Sequence, residues 1–136
     1  MSRSRLTITF DDSCRIFVAR YFGEIEGEDI NHGLMDQLLH VECIWTYDCI
    51  IDMRRYEGTV LIGEIEDLGN RWAAFANGRD LGCFTAIISD DTLVKARLPV
   101  TQSLFPTRTI ELFANFDEGL DWINVQRRYL QKALAV

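Results

Sequence analysis

Polar and apolar residues alternate from Arg5 to Phe10, with Leu6, Ile8 and Phe10 set against Thr7 and Thr9. That period of two predicts a strand with one buried face. Asp11-Asp-Ser13 supplies a turn, and Arg15 to Phe22 reads as a second strand, so the pair predicts a hairpin. Gly23 to Glu28 is an acidic connection. From about Glu28 to Val41 the period changes, and Ile30, Leu34, Leu38 and Val41 return to one face at helical spacing. Asp48 to Met53 is an apolar run too short for a helix, as expected of a central strand covered on both faces. A second helix follows to about Asn77, with Leu61, Ile65, Leu68, Trp72 and Phe75 on one stripe. Thr59 is placed to cap its start, and Asn77-Gly78 to stop it.

Gly82 to Ser89 gives another buried strand. Asp91 to about Leu104 is weakly helical, with Pro99 expected to bend or divide it and Pro106 to close the segment. Arg108 to Phe113 alternates as the last strand, and Asn115 with Glu118 predicts a capping box for a final helix to about Lys132. The order is β-β-α-β-α-β-α-β-α, which predicts an α/β fold whose mixed sheet has a parallel core. Periodicity does not choose between helices on one sheet face and helices on both.

The 136 residues read as a single domain, 1–136, without a linker, repeat or low-complexity tract. An apolar fraction of 48% with 26% charged residues is that of a folded chain. The net charge of −7 argues against nucleic acid, which is held mainly by Lys and Arg on phosphates, and against an anionic membrane surface. No apolar run approaches the length that spans a bilayer, and no signal-like segment follows Met1, so a cytoplasmic protein without membrane insertion is expected. Cys14, Cys43, Cys49 and Cys83 form no C-x-x-C pair, and free, buried thiols are expected of them.

Two stretches near the end carry a family likeness. One is Ala86-Ile-Ile-Ser-Asp-Asp91; the other is Ile110-Glu-Leu-Phe113 followed by Asn115-Phe-Asp-Glu-Gly-Leu-Asp-Trp-Ile123. Together with the element order, they resemble the SpoIIAA-like superfamily, which includes the STAS domains of anti-sigma factor antagonists. The likeness is greatest to small bacterial STAS/SEC14-like proteins of uncharacterised role. It implies a SpoIIAA/STAS-like sheet and a non-catalytic regulatory or protein-interaction module. Anti-sigma factor antagonists carry a phosphorylated Ser at the start of the helix after the central strand. Here that region is Glu57-Gly-Thr-Val-Leu-Ile-Gly63, where Thr59 is the only hydroxyl and sits somewhat earlier, so the usual phospho-switch is not expected.

The candidate site lies where the central strand empties into polar residues, the edge at which open α/β sheets usually meet ligands. Arg54 and Arg55 offer planar forks suited to carboxylates, phosphates or an acidic partner loop; Tyr56, Glu57 and Thr59 complete the patch. The alternative for the arginines is a solvated loop paired with local acids, and for Thr59 a plain helix cap. Asp52 lacks the partner that a general acid or base requires, and His32 and His40 stand too far apart for a metal pair. No enzyme, metal or cofactor is predicted. The partner implied is another protein, or a second copy in a homodimer. The competing function is a SEC14-like pocket for a small apolar or amphipathic ligand lined by Trp45, Trp72, Phe75 and Trp122, residues that would otherwise be core. Trp45, in a predicted connection, is the one expected to be exposed.

Overall fold

The computed structural model describes residues 4–134. Its elements follow the predicted order: β1 (Arg5–Asp11), β2 (Ile16–Gly23), α1 (Gly27–Leu38), β3 (Asp48–Tyr56), α2 (Ile62–Ala76), β4 (Cys83–Ile88), α3 (Thr92–Leu104), β5 (Arg108–Phe113) and α4 (Phe116–Leu134). A short 3₁₀ turn, Ile44–Thr46, leads into β3. The sheet runs β1-β2-β3-β4-β5, with β1 antiparallel to β2 and every later pair parallel.

This order settles the helices. Each parallel step moves one strand in the same direction, and right-handed crossovers then place α1, α2 and α3 on one face. The last helix, free of a crossover, covers the other. Phe17, Ala19, Tyr21 and Cys49 pack with α1 and α2, while Ile16, Ile50, Ala86 and Ile88 pack with Ile123 of α4. Gly119 lets α4 lie close to the sheet, since a Cβ there would stand 2.6 Å from the Ile88 Cδ1 methyl. Arg127 clamps the other end of that helix, donating to the buried Asp48 carboxylate and to the Cys14 and Arg15 carbonyls.

Several boundaries and exposures differ from the sequence expectation. α1 ends at Leu38, short of Val41. β3 runs on through Arg54, Arg55 and Tyr56, because its ladder with β2 continues as far as Gly23 opposite Tyr56. Thr59 does not cap α2: the helix begins at Ile62, and the Glu64 carboxylate accepts the Leu61 amide at 2.8 Å from inside the first turn. α3 passes through Pro99 unbroken. Asp91 caps α3 through the Leu93 amide, and Asn115 caps α4 through the Glu118 amide, as the latter's sequence suggested. The four thiols are free, but Cys14 and Cys43 are exposed rather than buried. Trp45 is half-buried, with the Arg79 guanidinium 3.5 Å above its ring and Phe75 against its edge.

Candidate functional site

The helices α1, α2 and α3 do not close fully on the sheet. Between them lies a cavity of about 450 Å³, within the range of small-molecule sites. Its floor is the sheet (Phe17, Ile51, Met53, Ile87), its walls are Leu34 and Leu38 of α1 with Ile65 and Leu68 of α2, and its roof is Leu93 and Val94 of α3. α3 has no buried residue at all, as follows when the inward face of a helix meets empty space.

Because β3, β4 and β5 are parallel, their amino ends share one end of the cavity and their carboxyl ends the other. At the amino end stand Cys49, Thr85 and Arg108, with Trp72 beside them. That end is closed: the Arg108 side chain is 5% exposed and Trp72 is 7% exposed. Arg108 Nε donates to Thr85 Oγ1 at 2.9 Å, and Thr85 Oγ1 lies 3.2 Å from Cys49 Sγ. Burial raises the Cys49 thiol above its ordinary range, and burial likewise pushes Cys83 up to about 11. Both are protonated at neutral pH and poor nucleophiles. At the carboxyl end the cavity is lined by Thr59, Ser89, Asp90, Asp91 and Arg97, most of them exposed. Arg97 donates to the Val60 carbonyl and so ties α3 to the segment before α2.

The residues expected to form one patch are divided by a β-bulge. Arg20 pairs with Asp52 and Phe22 with Arg55, so Tyr21 alone faces both Met53 and Arg54. Past this slip, Tyr56 turns toward the cavity, where it meets Tyr21 edge-on and donates to the Ile25 carbonyl at 2.9 Å. Arg54 reaches the rim of the cavity but gives its head to Asp52 in a two-point pair at 2.9 and 2.8 Å, above the Phe116 ring. Burial raises the Asp52 carboxyl, but the hydrogen bonds and charge of Arg54, with Arg20 3.7 Å away, outweigh it and hold the group below the usual carboxylate range. Arg55 is exposed and makes no ion pair among the described residues; with Arg5, Phe22 and Glu57 it lines a shallow depression beside the cavity. Glu57 is exposed and anchored by its amide to the Gly23 carbonyl. Thr59 is exposed at the mouth.

Trp72 lines the cavity, whereas Trp122 packs with Phe84 and Phe113 on the opposite sheet face. Thr85, Ser89, Asp91, Arg97 and Arg108 were not among the site residues expected from the sequence, although an arginine in phase with Ile110 and Leu112 of an alternating strand is a signal of a buried cation. His32 and His40 are exposed, and among the described residues no group of three or more His, Cys, Asp or Glu is placed to hold a metal. No helix among the described residues is long and apolar enough to cross a membrane.

No protein-family model matches the chain, and no curated protein matches it. Among solved structures it is similar to an uncharacterized protein of the DUF3478 family, with a SpoIIAA-like fold, from Shewanella loihica PV-4. The identity is 17% and the TM-score 0.61, over 90% of this chain and 95% of that one. At that identity the likeness shows the fold. The chain has the SpoIIAA-like architecture that its element order and closing motif resemble.

Proposed function

We propose that the chain is a non-catalytic binding module that holds a small apolar or amphipathic molecule between its sheet and α1, α2 and α3. The observation that carries this reading is the cavity of about 450 Å³, whose lining is mostly aliphatic and aromatic. A folded core is ordinarily packed to crystal-like density, so a void of this size at the carboxyl edge of a parallel sheet is unusual unless something fills it. The site offers no activated nucleophile, since its thiol is held protonated. Its carboxylates at the mouth serve as a helix cap and surface groups.

The test is native mass spectrometry of gently purified protein, joined to thermal melting with a panel of medium-chain alcohols and acids. A ligand at a hundred times its Kd stabilises by about 2.7 kcal/mol. For a chain of 136 residues that is a rise of roughly 8–13 °C. Val94→Trp, which places a ring in the cavity from the roof, should abolish the rise while the variant stays folded. No adduct and no shift with any panel member would overturn the reading.

The protein-interaction reading keeps one specific support, the exposed Arg55, without an ion pair among the described residues, beside Arg5 in the neighbouring depression. On that reading Arg55→Glu lowers the affinity of an acidic partner and leaves ligand uptake intact. Unchanged partner affinity would remove that surface.

A further inference from the structure

We propose that the closed end of the cavity is a carboxylate site, with the Arg108 guanidinium receiving the head of an otherwise apolar acid that enters head first. This rests on the ligand-binding reading above and specifies its ligand. Arg108 is the only charged group lining the closed end among the described residues. Most of its donors are already used to fix its plane. Nε donates to Thr85 Oγ1 at 2.9 Å, and Nη2 to the Tyr47 and Phe84 carbonyls at 3.0 and 3.2 Å. Among the described residues Nη1 reaches only one acceptor, Asp80 Oδ2, in an ion pair at 3.4 Å. A guanidinium carries five N–H donors, two of them on each terminal nitrogen, so Nη1 keeps one for an incoming oxygen.

The neighbouring carboxylates are held largely by other partners. Asp80 stands outside the cavity lining, and its Oδ2 is held by Trp72 Nε1 at 2.7 Å. Asp48 is committed to the Phe84 amide and to Arg127. The cation is therefore buried and rigid, paired with Asp80 only across 3.4 Å and set over the Trp72 ring, with one Nη1 hydrogen lacking an acceptor among the described residues. A carboxylate gains most from such a site, because charge-assisted hydrogen bonds strengthen where water is excluded.

Polarity along the cavity fixes the orientation. At the mouth Asp90 and Asp91 oppose an anionic head, while the cations there are engaged, Arg97 with the Val60 carbonyl and Arg54 with Asp52. The mouth adjoins an apolar rim of Leu61, Ile62 and Leu93, respectively 59%, 46% and 40% exposed, which suits a tail. Volume fixes the size: at about 30 Å³ per water-sized group, 450 Å³ holds about fifteen such groups. Dodecanoate, with about fourteen non-hydrogen atoms, fits that count.

The experiment is calorimetric titration of the full chain with dodecanoate and with dodecan-1-ol, which share a tail and differ in charge. Dodecanoate should bind at least about tenfold more tightly, and Arg108→Met should erase the difference while keeping the alcohol's affinity. Should Arg108→Met fail to fold, wild-type NMR decides instead. Intermolecular NOEs should run from the C2 protons of dodecanoate to Trp72 and Ile110, and from its terminal methyl to Leu93. Equal affinity for the two ligands, or the reversed NOE pattern, overturns the carboxylate site and leaves the cavity reading standing. Binding of neither ligand overturns both.

Discussion

Two glycines of α2 should respond to the same substitution with opposite signs. Gly63 has nothing within 4 Å of the position its Cβ would take, whereas a Cβ on Gly69 would lie 2.8 Å from the Leu104 carbonyl oxygen. Gly63→Ala therefore changes only helix propensity, a gain of roughly 0.5–1 kcal/mol. Gly69→Ala makes the same gain but must push the end of α3 away from α2, and the obstacle is backbone that cannot rotate aside. Overpacking of this kind costs about 1–3 kcal/mol, so a net loss of roughly 1 kcal/mol remains. In a chain of 136 residues that lowers Tm by roughly 3–5 °C, and Gly63→Ala raises it by a somewhat smaller amount. Urea melts of the two variants beside wild type read both signs. A stabilised Gly69→Ala would refute the reasoning, because α2 and α3 would then not meet at that point.

The two arginines at the end of β3 should separate in the same assay. Arg54→Glu faces the nearly buried Asp52 with a like charge and should cost about 1–2 kcal/mol, while exposed Arg55→Glu should stay within about 0.5 kcal/mol; equal losses would contradict the bulge that parts them. The Asp52 carboxyl, held low by Arg54, contributes stability that is fully present above its unfolded value near pH 4 and is lost as pH falls through its lower folded value. Arg54→Met should flatten that acid limb of a stability-against-pH curve, and an unchanged slope would assign it to other carboxylates. Hydrogen exchange should find α3 the least protected of the interior helices, since it has no buried residue, and a cavity ligand should slow it; protection equal to α2 in the free protein would refute this.

The sheet was readable wherever one side-chain period ran unbroken. β5 falls on Arg108–Phe113, as its alternation predicts, and the hairpin and the αL stop at Asn77 follow from local chemistry alone. The end of β3 was not readable, because Arg54-Arg55 looks like a solvated loop. What holds it in the sheet is a ladder to Phe22 and Gly23, more than thirty residues away. The bulge is equally silent, since it resets the period without leaving a glycine or proline. Thr59 had the right chemistry for a cap, but a glutamate three residues inside the helix start can satisfy the Leu61 amide. The cavity left only a faint trace, the weak amphipathicity of the stretch from Asp91 to Leu104. A void is a relation among side chains from seven elements, and no window along the chain contains it.

Arg108 joins these observations. Its fork reaches the Tyr47 and Phe84 carbonyls and the Thr85 hydroxyl, and so binds the start of β5 to the starts of β3 and β4. A purely structural cation in that position would be expected to sit against a close carboxylate, because burying an unpaired charge is costly. Asp80 does pair with Arg108, but loosely: its Oδ2 stays 3.4 Å from Nη1 and gives its best contact to Trp72, and its Oδ1 has no hydrogen-bond partner among the described residues. The roof above is held mainly by polar ties, Arg97 to the Val60 carbonyl and Gln102 to the Ile110 carbonyl at 2.8 Å, with little apolar burial. An imperfectly paired cation below and an unpacked helix above leave two deficits on opposite sides of one void. A single acid with a hydrocarbon tail answers both, its head completing Arg108 and its chain giving α3 the apolar contact it lacks.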